Sequence, residues 1–219
     1  MEAMVVIARL AQGYSAADPW SPSLDGILAY WRLREELGEE ELTLGMTGHR
    51  PLVVADLPLQ RESWGDMWWW QCSSPMPAGG DEERFERHYH RRFDEGQAYR
   101  YAPKGTRAVL TSAGPYKAYR HRRQIVVCEE LRWHAIGDAA EVRRLLRRCD
   151  FIGHGIGRGW GEVIEWTIEP GGDEWLARYH RPLPYEFAEA HGLRGAPLEW
   201  GLVPPGRDPR NRALCVMPV

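Results

Sequence analysis

Residues 138–169, DAAEVRRLLRRCDFIGHGIGRGWGEVIEWTIE, run a helix, a glycine loop and a strand together, and their order decides the fold. Asp138 stands as an N-cap with Glu141 three residues on, a capping box with Asp in place of Ser or Thr. Val142, Leu145, Leu146 and Cys149 make an apolar stripe. Arg143, Arg144, Arg147 and Arg148 occupy the other side, as solvated charge or as a surface for RNA or a partner. Five alternating glycines then follow at Gly153, Gly155, Gly157, Gly159 and Gly161, and Val163 to Ile168 reads as a strand. Glycine loses much backbone entropy on ordering, so this density implies unusual dihedrals or close approach by another molecule. Bare N–H groups can cradle phosphate, Arg158 suits phosphate, and His154 and Trp160 suit stacking on bases. The alternative is a tight connection that holds no ligand. A dinucleotide fingerprint is excluded, because no glycine falls at its sixth position and a strand follows instead of a helix. A P-loop is excluded by the missing Gly-Lys-Ser/Thr.

Upstream, Met4 to Leu10 is β-branched and apolar and reads as a first strand. Leu24 to Leu37 is an amphipathic helix with Leu24, Ile27, Leu28 and Trp31 in register, Asp25 in its first turn and Gly38 after its end. Glu39–Glu41 is expected to be a solvated face. Residues 51–59 and 67–72 read as two further strands; the three tryptophans of MWWWQC put at least one ring on each face. By composition 73–80 is a loop, and 81–95 is a short helix, although His88 and His90 are too close for one helix face. In 108–133 a strand, a Gly-Pro turn and a long strand are expected. An extended 116–123 puts Lys117, Tyr119, His121 and Arg123 on one side and Tyr116, Ala118, Arg120 and Arg122 on the other. Basic and aromatic groups on both faces suit a protruding ribbon that grips a polyanion.

Removing 81–123 as an insertion leaves β-α-β-β-α-β, an α+β arrangement of the ferredoxin-like (RRM-like) kind. On this reading 1–170 is one domain with a basic insertion and hairpin, and the Pro-rich 171–219 is a C-terminal appendage packed on it.

The formal charge of −3 conceals a strong asymmetry. Residues 84–123 carry nine arginines and two lysines against three acids, so the rest of the chain is strongly acidic. A basic segment in an acidic protein points to a specific anionic partner. Cys128 and Cys149 read as buried thiols. No apolar run of membrane-spanning length and no cleavable signal pattern occurs, so the expectation is a cytoplasmic protein without a membrane partner. No cysteine or carboxylate pattern accompanies the His88/His90 pair, so neither a metal nor another cofactor is expected.

Four pieces of the chain resemble a known family: SLDGILAYWRLRE (23–35), GPYKAYRHRR (114–123), the run from Trp133 to Trp166, and the RPLP and PPGRDPRNR blocks of the tail. They are similar to the repeat-associated RNA-binding superfamily of CRISPR-associated proteins, and in particular to the foot subunit of type IV effector complexes. The resemblance implies a non-catalytic scaffold subunit that binds the 5′ handle of the guide RNA. It also implies capping of a filament of backbone subunits, contact with a large subunit, and only indirect contact with target DNA. Carried onto this chain, it assigns RNA contact to the glycine loop, through Gly153, His154, Gly155, Gly157, Arg158, Gly159 and Trp160. The ribbon would contribute Tyr116, Lys117, Tyr119, Arg120, His121, Arg122 and Arg123. Two alternatives remain. One is a metal-independent endoribonuclease that cuts repeat RNA with His121 as the acid or base. The other is a protein-only adaptor that docks through its tryptophans.

Overall fold

The computed structural model describes residues 1–46, 53–79, 83–91, 94, 100, 112–113 and 117–217. Its main sheet is antiparallel throughout and is built from β1 (Glu2–Leu10), β5 (Met76–Ala78), β8 (Glu130–Gly137) and β9 (Val163–Pro170), in the order β5-β8-β1-β9. Two helices join members of this sheet: α1 (Leu24–Leu37) follows β1, and α3 (Ala139–Leu146) lies between β8 and β9. A short α2 (Glu39–Met46) continues from α1, so the acidic run opens a helix.

The central strands are not the expected ones. Residues 53–59 form no strand; Ala55, Leu57 and Leu59 are apolar because they pack into the core, and Leu59 reaches the sheet by one bridge to Gly137. Met67–Trp70 is β4, which pairs with β3 (Arg61–Trp64) in a separate hairpin. Trp69 and Trp70 are buried there, and Arg61 packs on the rings of Trp68 and Trp70. Two corrections supply the real pairing. The stretch expected to be a loop contributes edge strand β5, and the long strand breaks at Cys128 and Glu129 into β7 (Tyr119–Val127) and β8, which enter different sheets.

The helices form where capping and periodicity agree. Ser23 accepts the Gly26 N–H and Gly38, at φ +80°, ends α1. The buried stripe is Leu24, Leu28, Ala29 and Leu33; Ile27 and Trp31 are half-buried at its side. Asp138 caps α3 by accepting from Ala140 and Glu141. The reciprocal half of the capping box is absent, since the Asp138 N–H donates to Pro58 and the Glu141 carboxylate accepts from Arg144 and Arg32. Arg144 also forks onto Glu35 at 2.8 Å, tying α3 to α1 and holding both carboxyls below their ordinary range.

Beyond β9, α4 (Glu174–Tyr179) and α5 (Tyr185–Ala190) accompany a small sheet of β10 (Leu183–Pro184), β11 (Pro197–Gly201) and β12 (Arg212–Val216). Their buried residues Leu183, Phe187 and Val216, with Leu202 just after β11, join the core cluster of the rest of the chain. Arg181 of the RPLP block is 6% exposed. It donates to the carbonyls of Trp70 and Leu202 and to the Asp25 carboxylate at 3.3 Å, so one buried cation joins the tail, β4 and α1. Loss of one partner of such a pair costs about 3–5 kcal/mol. All four cysteines are free and buried, and burial beside Asp25 pushes the Cys72 thiol up to about 12. Among the described residues no helix is long and apolar enough to cross a membrane.

Candidate nucleic-acid interface

A second sheet connects the two candidate elements. β2 (Tyr14–Ala16) pairs with β7, and β7 pairs along nine residues with β6 (Glu83–Arg91). Residues 83–91 are therefore a strand, not part of a helix. Successive side chains of a strand point to opposite faces, so His88 and His90 share one. The other edge of β2 meets the glycine loop, where the His154 N–H donates to Ser15 O at 2.8 Å.

The loop is sewn to the stretch that leads into β2. Ala11 donates to Glu162, Gln12 to Gly159, and Gly161 to Gly13; Ile152 donates to Gly161 across the neck. Gly153, Gly155, Gly159 and Gly161 all have φ between +71° and +82°. A Cβ on Gly161 would lie 1.9 Å from Ile152 O, and one on Gly153 would lie 2.6 Å from Ser15 O. Four of the five glycines thus serve the loop's own folding. Gly157 differs: its φ is ordinary, it is exposed, and a Cβ there would meet nothing within 4 Å.

Ribbon and loop meet at Tyr89. The buried Trp160 donates its Nε1–H to Tyr89 Oη at 3.0 Å, and its ring packs edge-on to Phe85. Arg158 lies over the Tyr89 ring at 3.9 Å from the centroid, with Arg87 at 5.7 Å. Trp160 is only 8% exposed, and its bond to Tyr89 joins the loop to the ribbon. Tyr89, which the sequence reading missed inside an expected helix, takes the central place.

The register sorts the remaining residues. Tyr89 pairs with His121 and Arg87 with Arg123, which places these four on the loop side together with Tyr119. Tyr119 and His121 rings meet edge-on at 4.5 Å. Arg120 and Arg122 lie on the outer face opposite His90 and His88, and Arg122 pairs with Glu86 at 2.9 Å. Lys117 is exposed just before β7, and Tyr116 lies outside the described residues. Among the described residues no acid pairs with Arg87, Arg123 or Arg158, so three cations share one side of the ribbon with Tyr89, Tyr119 and His121.

His154 sits half-buried behind this surface. Burial, helped by the charges of Arg123 and Arg207, lowers its pKa, so the ring is neutral at pH 7.

The family model of the CRISPR type IV associated protein Csf3 matches residues 3–218. The chain belongs to that family. No curated protein matches this Csf3-family chain. Membership places it among the type IV CRISPR-associated proteins, which agrees with the coarser part of the resemblance read from its motifs.

Proposed function

We propose that this Csf3-family chain is a non-catalytic RNA-binding subunit of a cytoplasmic type IV CRISPR ribonucleoprotein. It holds the 5′ handle of the guide RNA and caps the filament of backbone subunits, on a ferredoxin-like domain extended by the β6–β7 ribbon. The strand-helix-strand-strand-helix-strand succession in the main sheet supports that fold assignment. One observation carries the functional reading: Tyr89 brings the ribbon and the glycine loop together, so that Arg87, Arg123 and Arg158 surround exposed aromatic and histidine side chains. Cations without acid partners beside rings suit a splayed single strand, with phosphates on guanidinium groups and bases on aromatic faces.

The test compares the two faces of the ribbon. Arg87→Ala, Arg123→Ala and Arg158→Ala together should weaken binding of single-stranded repeat RNA strongly. The slope of log affinity against log salt should flatten by about 2, as expected for three lost phosphate contacts. Arg120→Ala with Arg122→Ala on the outer face should do less. Equal losses from the two sets would remove the loop-side assignment. Cleavage of repeat RNA in EDTA that His121→Ala abolishes would replace the scaffold reading with a nuclease.

A further inference from the structure

A cleft of about 440 Å³ opens on the far side of His154, between the start of α1 and the tail. Its size falls in the range of small-molecule sites, roughly 300–1,000 Å³. Trp20 and Trp200, half-buried and edge-to-face at 5.6 Å, offer indole surface in its wall. The PPGRDPRNR block shapes its rim. There Asp208 caps a short 3₁₀ turn and pairs with Arg210, while Asn211 donates to Pro205. These contacts leave Arg207 exposed at the cleft, and among the described residues it has no acid partner.

The other charged groups lining the cleft already hold ion-pair or hydrogen-bond partners. Asp25 faces Arg181, Glu199 faces Arg212, and Asp18 accepts from Trp20 N and Ser21 Oγ. The Ser74 hydroxyl, in a residue 3% exposed on the cleft wall, has no hydrogen-bond partner among the described residues. A buried hydroxyl without a partner is costly unless something supplies one, and a turn about χ1 re-aims it.

We infer that this cleft binds one nucleoside monophosphate unit, with its base against the indole wall and its phosphate on Arg207. An unstacked nucleotide of the bound RNA and a free mononucleotide share this chemistry. The location favours the strand, because His154 of the glycine loop lines the cleft and bridges to Ser15 of β2, which pairs with the ribbon strand β7, so the cleft adjoins the proposed RNA surface. The inference builds on the RNA-binding reading but uses residues that reading does not need.

The four ribonucleoside 5′-monophosphates are titrated separately into the purified chain. Binding is followed by tryptophan fluorescence corrected for nucleotide absorbance, with single-stranded repeat RNA measured in parallel by anisotropy. At least one mononucleotide should give saturable quenching. Arg207→Ala should weaken it about tenfold, the value of one charge-assisted hydrogen bond. Ser74→Ala removes an unpaired hydroxyl, so it should fold as well as the parent and still bind the mononucleotide more weakly. If Arg207→Ala also weakens RNA, the occupant comes from the strand; if RNA is unaffected, the site takes a free nucleotide. Absence of quenching by all four, or quenching untouched by both substitutions, overturns the inference. Arg87→Ala with Arg158→Ala separates the readings: it should lower RNA affinity and leave mononucleotide binding intact. Mononucleotide binding by a chain that binds no RNA would sink the RNA reading and leave the cleft standing.

Discussion

The neck and the tip of the glycine loop use the same residue for opposite reasons. At the neck, Gly153 and Gly161 are glycines because the protein's own backbone occupies the space of a side chain. At the tip, Gly157 has room for a side chain and an ordinary φ, and its neighbour Arg158 is exposed over Tyr89. Glycine density alone therefore does not mark a ligand cradle. The neck answers to folding, which leaves the tip as the part free to answer to a partner.

The largest effect should come from setting one end against the other. Gly161→Ala places a Cβ against Ile152 O at a left-handed φ, two penalties that together amount to about 3 kcal/mol or more. Thermal unfolding should move down by about 6–12 °C in a chain of this length. Gly157→Ala should leave the midpoint unchanged or slightly raised and lower only RNA affinity. If Gly157→Ala leaves RNA affinity intact, the tip does not approach the backbone of the ligand.

A smaller effect separates the two jobs of Tyr89. Tyr89→Phe keeps the ring beneath Arg158 but strands the buried Trp160 N–H, at about 1–3 kcal/mol of stability with RNA affinity retained. Tyr89→Ala should reduce both stability and RNA affinity. Equal RNA binding by the two variants would show that the ring platform is dispensable.

What the sequence made legible follows from which interactions are local. The bounds of α1 were readable because Leu24, Ile27, Leu28 and Trp31 repeat at helical spacing and Gly38 ends the run. The end strands β1 and β9 were readable for the same kind of reason, a contiguous β-branched and aromatic run. Residues 83–91 were not, because both faces of that ribbon are largely polar and exposed, so no apolar alternation marks a strand. β5 is three residues long and exists through its pairing with β8, a partner more than fifty residues away. Residues 53–59 misled in the other direction: their apolar residues face the core from irregular chain. At the candidate site, Arg123, Arg158 and the tip were named by type, whereas Arg87 and Tyr89 were not, because they lay inside the expected helix. The bond from Trp160 to Tyr89 spans 71 residues and carried no local signal. Arg181 was hidden likewise, since nothing in a Pro-rich block announces a buried cation facing Asp25.

The smallest prediction again opposes the closed part of the molecule to the open one, now through pH. His134 and His180 in the packed domain, and His154 behind the loop, all have pKa values lowered first by burial. His134 accepts the Asp173 N–H at Nδ1, which protonation there would break. Below pH 6.5 the unfolded chain therefore binds more protons than the folded one at these positions, and stability falls as pH falls. His134→Gln should flatten that decline in unfolding midpoints measured from pH 7 to pH 5.5. If the proposed RNA contact sets a phosphate beside His154, the sign reverses there, because the phosphate favours the charged form of the ring. The complex then takes up a proton that the free protein refuses, so RNA affinity should rise over the interval in which stability falls. The difference between the parent and His154→Gln isolates the contribution of this ring. A pH profile of RNA affinity that His154→Gln leaves unchanged would place the RNA backbone away from His154 and confine its contacts to the tip and ribbon.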